Sequence, residues 1–92
     1  MEIFAMHRTT LRIADMALAD AEVMRIETRY LIHAKTVPLP DGHLPRATTC
    51  DFEYCGRSIP GIIVKTTIER SDWSGDPSLH DIRLEVIADP AR

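Results

Sequence analysis

The segment "LHDIRLEVIA", residues 79–88, alternates apolar and charged side chains almost without a break. Ile82, Leu84, Val86 and Ala88 share one parity; Asp81, Arg83 and Glu85 share the other. A period of two belongs to an extended chain, because successive Cβ atoms point to opposite faces of a sheet. The pattern recurs. In "RATTCDFEY" Cys50, Phe52 and Tyr54 oppose Thr49, Asp51 and Glu53. In "IIVKTTIER" Ile62, Val64 and Ile68 oppose Lys65, Thr67 and Glu69. Repeated alternation of this kind describes an antiparallel sheet that packs one face and wets the other.

Residues 23–36 need a decision between two periods. Val23, Ile26, Tyr30 and His33 fit a helix, but that helix places Glu27 in its apolar arc. The strand reading does better: Met24, Ile26, Tyr30, Ile32 and Ala34 point inward, and Arg25, Glu27, Arg29, His33 and Lys35 point outward. Leu31 alone breaks the alternation. Residues 23–36 therefore read as one long strand. Residues 10–21 read differently. They carry Ala14, Ala17, Ala19 and Ala21, lack Gly and Pro, and follow Thr9 and Thr10 as N-cap candidates. A short helix is expected there, with a strand as the alternative because Leu11 and Ile13 alternate with polar neighbours.

"VPLPDGHLPRA" cannot lie inside a central strand or a helix, since its three prolines lack the backbone donor. It reads as a stiff loop with a turn at Asp41-Gly42. "CGRSIPG" reads as a turn and "SDWSGDPS" as a second loop. The expected fold is α+β: four antiparallel strands, a fifth possible over Glu2–His7, and one short N-terminal helix, with an all-β meander as the alternative. Residues 1–92 form a single small domain with prominent loops at 37–46 and 71–78.

A chain of 92 residues with 45% hydrophobic residues can bury a core, though with little margin, so a homodimer is a natural possibility. The net charge of −3 is neither that of a general nucleic-acid binder nor that of an acidic DNA mimic. No apolar run approaches the roughly 20 residues of a membrane span, and the first residues lack the basic start of a signal peptide. The expected location is the cytoplasm.

The chemistry-bearing residues form no diagnostic motif. Cys50 and Cys55 have four residues between them, without the second ligand pair of a zinc site, so no metal or other cofactor is expected. Along an extended strand their Cα atoms lie about 16 Å apart, against the roughly 7 Å a disulfide tolerates. Cys50 reads as a small core residue and Cys55 as a turn residue. A cysteine nucleophile would need a base from His7, His33, His43 or His80, and no local signature marks one. His33 reads as a solvated residue of the outer sheet face. Gly42, Gly56, Gly61 and Gly75 form no phosphate-binding loop. Phe52, Tyr54 and Tyr30 have inward parity, so the outer face lacks stacking platforms for single-stranded RNA.

Two loops remain. "SDWSGDPS" holds Trp73, which either covers the core or anchors a partner. "VPLPDGHLPR" is stiffened before binding and loses less entropy on docking. The candidate partner-binding residues are Leu39, Asp41, His43, Leu44, Arg46, Asp72 and Trp73. The expected function is non-enzymatic: a small inhibitor or adaptor acting on a larger protein or ribonucleoprotein complex. Phage and mobile-element proteins that block bacterial defence, anti-CRISPR proteins among them, are of this size and kind; no residue pattern ties the chain to them. The alternatives are a small Cys/His enzyme and a weak nucleic-acid-binding module using Arg8, Arg12, Arg25 and Arg29, although direct nucleic-acid binding is disfavoured by the charge balance.

Overall fold

The structure is a computed structural model that describes residues 6–39, 41–44, 47–71 and 75–90. Six strands form: β1 (His7–Ile13), β2 (Met16–Ile26), β3 (Arg29–Pro38), β4 (Thr49–Tyr54), β5 (Arg57–Arg70) and β6 (Leu79–Ala88). They close into an antiparallel barrel in the order β1-β2-β3-β6-β5-β4. The chain thus makes two three-stranded meanders, joined by β3 against β6 and by β1 against β4.

The fold is all-β, and this corrects the expected α+β class. There is no helix among the described residues. Residues 10–21 instead hold the end of β1, a two-residue turn at Ala14-Asp15, and the first half of β2. Alanine's helix preference amounts to tenths of a kcal/mol per residue, roughly, and tertiary packing overrides it. Here the packing is the burial of Leu11, Ile13, Ala21 and Val23, each at most 1% exposed. The single strand expected over residues 23–36 is likewise corrected. It is two strands with a turn at Glu27-Thr28. Inward parity therefore changes between them: Ala21 and Val23 point in on β2, whereas Tyr30, Ile32 and Ala34 point in on β3. Met24 and Ile26 fall on the outside. Neither turn carries Gly or Pro. Ala14 (φ 54°) and Glu27 (φ 56°) take the left-handed conformation without them, so the sequence gives no punctuation there. Of the fifth strand considered over Glu2–His7, only His7 belongs to β1, and residues 2–5 lie outside the described residues.

Two long strands make the barrel possible. β2 pairs with β1 through residues 16–23 and with β3 through residues 22–26. β5 pairs with β4 through residues 57–62 and with β6 through residues 61–70. Each strand therefore bends and serves two sheets. β2 bends at a bulge beside Asp20 (φ 59°). β5 bends at Gly61 and at a bulge that leaves Val64 unmatched and 45% exposed. That bulge overturns the simple parity of "IIVKTTIER": Gly61 pairs with Ala88 and Ile63 with the buried Val86 of β6, and Val64 points out.

The core is filled by Leu11, Ile13, Val23, Ile32, Phe52, Ile82, Leu84 and Val86, none more than 2% exposed. Tyr30 meets Phe52 edge-on with ring centroids 5.0 Å apart, and meets Tyr54 in the same way at 5.3 Å. Such pairs add about 1 kcal/mol to their area burial. The seam between β1 and β4 is thin. Among the described residues it has one paired rung, Arg12 with Asp51, and Thr9 Oγ1 accepts the Glu53 N–H at 2.7 Å beside it.

Gly61 generates the first prediction. A Cβ there would lie 2.3 Å from Val86 Cγ1 and 3.2 Å from Phe52. Overpacking of a core position costs about 1–3 kcal/mol. Gly61→Ala is therefore expected to lower the melting temperature by about 10 °C, taking about 2 kcal/mol at 4–8 °C per kcal/mol for a domain of this size. A thermal melt that moves by less than about 2 °C would show that β5 does not cross the core at this point.

Candidate functional site

The outer face of β2-β3-β6-β5 is not the flat solvated face that its charge pattern describes. The coiled sheet folds into a groove of about 310 Å³. Alternate residues of each strand project into it: Glu22 and Met24 from β2, Leu31 and His33 from β3, Arg83 and Glu85 from β6, Lys65 and Thr67 from β5. Met6, 59% exposed, closes one side. Met24, Leu31 and His33 are half-buried.

His33 is the unusual member. It lies on the outer face, as its parity demands, but it is only partly solvated. Its Nε2 is sealed from solvent and has no hydrogen-bond partner among the described residues. Burial holds its pKa below the ordinary 6.5; Arg83 and Lys35 push in the same direction, and Asp81 and Glu22 offset them in part. The imidazole is therefore neutral at pH 7 and offers one donor and one acceptor nitrogen. Arg29 pairs with Glu85 at 3.1 Å and Arg83 with Glu69 at 3.4 Å along the groove. Such exposed pairs contribute about 0–1 kcal/mol each and serve mainly to set where charge sits.

The residues expected from the two loops are distributed differently. Leu39 is 4% exposed and belongs to the core, so it is not available as a surface anchor. Leu44 is half-buried and packs against that core. Asp41 and His43 are exposed, and the His43 Nδ1 lies 3.3 Å from the Leu44 carbonyl. Arg46, Asp72 and Trp73 lie outside the described residues. The loops do meet: the Leu39 N–H donates to the Ser78 carbonyl at 2.7 Å, and buried His80 sits beside it with Nδ1 2.9 Å from the same carbonyl. The segment 37–46 is also shorter as a loop than expected, because β3 runs to Pro38.

The two cysteines separate. Cys50 is 3% exposed, and burial followed by the Asp51 charge pushes its thiol up to about 11. Cys55 is exposed at the first position of the β4–β5 turn, where Cys55 (φ 52°) and Gly56 (φ 77°) share the positive angles of a type I′ hairpin. Its Sγ lies 3.9 Å from His7 Nε2, a proximity that the chain distance of 48 residues conceals. No cluster of three or more potential metal ligands forms among the described residues. No helix among them is long and apolar enough to cross a membrane.

Sequence reasoning missed the groove because it assigned Met24 to the inside. The available signal was Leu31, the apolar residue in a polar parity. Comparison with protein-family models, with curated proteins and with solved structures returns no match for this chain.

Two outcomes follow from these environments. The folded-state pKa of His33 is depressed, so its contribution to stability is present above the unfolded value near 6.5 and is lost as pH falls through the folded value. Urea melts between pH 7.5 and 5 are expected to show falling stability, with a shallower fall in His33→Gln. An identical slope in both proteins would show that His33 is no more shielded than in the unfolded chain. Iodoacetamide at pH 7.5 is expected to label Cys55 in the native state and Cys50 only after unfolding, read by peptide mass. Equal labelling of both would contradict the buried placement of Cys50.

Proposed function

We propose that this domain is a non-catalytic protein-binding protein, an inhibitor or adaptor that docks on a larger protein or ribonucleoprotein complex through the groove on β2-β3-β6-β5. The observation that carries the reading is His33 Nε2, which lines the groove without a hydrogen-bond partner among the described residues. A buried polar atom left unmade costs about 1–3 kcal/mol, and a docking partner recovers it where its contact turns the imidazole so that Nε2 comes within hydrogen-bond reach. Met24 and Leu31 beside it give the partner apolar surface to cover. The fitting occupant is a protein segment that presents an apolar side chain next to a hydrogen-bonding group. Both cysteines are free, which suits a reducing compartment such as the cytoplasm.

A second reading is supported by the 3.9 Å approach of Cys55 Sγ to His7 Nε2, which is the geometry a thiol enzyme would begin from. It requires Cys55 to react faster than a free thiol at neutral pH and His7→Gln to abolish the excess.

The groove reading is tested by affinity capture with the wild type and with Leu31→Glu. Leu31 faces outward but is half-buried opposite Glu85, so the variant is expected to stay folded with a melting temperature lowered by a few degrees. Its affinity for the captured complex is expected to fall at least tenfold, about 1.4 kcal/mol. Retention of the same stoichiometric partners by Leu31→Glu would remove the groove from the interface.

A further inference from the structure

β2 and β3 share a ladder only from Ile26-Arg29 to the rung Glu22-His33. Beyond that rung they diverge. Residues 16–20 of β2 continue to pair with β1, and residues 34–38 of β3 continue with β6. Between them lies a cleft of about 430 Å³. Each strand takes a left-handed residue just past the last shared rung, Asp20 (φ 59°) on β2 and Thr36 (φ 52°) on β3. Each such conformation costs about 1–3 kcal/mol for a residue with a Cβ. Both lie at bulges that turn the strands apart. The Thr36 N–H is turned to the β6 side, where it donates to Asp81 Oδ1 at 3.0 Å.

The hairpin geometry says which backbone groups face the cleft. The pair that closes a two-residue hairpin exchanges hydrogen bonds, and bonded pairs alternate from there. Ile13-Met16 closes the first hairpin, so Met16 and Leu18 bond to β1, and Ala17 turns its N–H and C=O the other way. Ile26-Arg29 closes the second, so Leu31 and His33 bond to β2, and Lys35 continues that side past the end of the ladder. Ala17 and Lys35 thus present N–H and C=O groups to the cleft from opposite walls. The wall of β2 is small there, with Ala17 and Ala19. The floor is apolar, with Ala34 and Val37 buried beneath.

We infer that this cleft is a strand-addition site: it takes an extended peptide segment of the partner, whose backbone continues the β-ladder from Ala17 on one wall or Lys35 on the other. An extended backbone is the chemistry that matches an outward-turned N–H and C=O pair on a wall of small side chains. Because β2 and β3 run antiparallel, a strand between them is antiparallel to one wall and parallel to the other. Its inward side chains are apolar, to meet Ala34 and Val37, and its outward ones polar. The three residues Ala17–Ala19 line about 10 Å of one wall at about 3.3 Å per residue, up to the bulge at Asp20, whose carbonyl accepts from Arg8 at 3.3 Å. The cleft opens at Glu22-His33 directly into the groove, since both residues line both depressions. A segment held in the cleft therefore delivers its next side chain beside His33. This inference rests on the protein-binding reading above and assigns the partner's conformation.

The test uses the full chain and peptides selected on it from a random phage-displayed library of 12-residue sequences. Selected peptides are expected to slow hydrogen exchange at the Ala17 and Lys35 amides. N-methylation of alternate backbone nitrogens in the peptide is expected to weaken binding at least tenfold, and methylation of the intervening ones is expected to do little. Ala17→Pro, which removes a cleft-facing N–H without touching the β1 ladder, is expected to weaken binding similarly at an unchanged melting temperature. Failure to select any binder, a footprint elsewhere, or equal tolerance of both methylation patterns overturns the inference. So does a native mass showing a dimer whose second copy protects Ala17. The groove reading fails separately, when Leu31→Glu leaves capture of the complex intact.

Discussion

The barrel depends on two strands that bend. Six short strands of alternating pattern would otherwise pair into one open sheet with a bare apolar face. β2 and β5 prevent this by each serving two neighbours in succession along their length. β5 turns where Gly61 lets Val86, Phe52 and Cys50 approach its backbone, and where Val64 is ejected from the ladder. β2 turns at Asp20, at a bulge opposite the Thr9–Leu11 segment of β1. Once both strands bend, the alternating faces curl inward and the apolar parity of every strand meets the same core.

The same bends produce the surface features. A sheet that coils tightly enough to close around Phe52 and Ile82 also hollows its outer face. Met24, Leu31 and His33 therefore lie in a groove, not on a plane. At β2 the turn away from β3 has a second consequence. The strands part beyond Glu22-His33 and leave a cleft lined from both strands, by Ala17 and Ala19 on one side and Lys35 and Thr36 on the other. Groove and cleft are thus two results of one curvature, and they meet at His33.

The strands β4 and β6 were legible because their alternation is nearly unbroken and their inward residues, His80 apart, are apolar. The separation of Cys50 from Cys55 followed from parity alone. The first meander was not legible. Its two turns are made by Ala14 and Glu27 in a conformation their side chains do not advertise. A missed two-residue turn inverts the assignment of one strand, which is why Met24 and Ile26 were placed inside. The alanines at 17, 19 and 21 added a helical preference that local composition could not discount. The groove was illegible for a related reason. A pattern of period two says which residues share a face, but not how that face is curved, and His33 on a flat face would be solvated.

Curvature also bears on what a partner would do to the fold. Among the described residues the β1-β4 seam is closed by one rung and the Thr9 hydroxyl, while β2 and β3 are apart over half of their length. A barrel with two weak seams opens most easily along them, because local opening follows the regions with the fewest paired backbone groups. A segment that fills the β2-β3 cleft restores a ladder at one of these seams. Its binding energy then adds directly to the stability of the closed state, by about 2.7 kcal/mol when the partner is present at a hundred times its dissociation constant. In the free domain the left-handed Asp20 and Thr36 must be held by the rest of the structure. In the complex the strand they make room for would share that work.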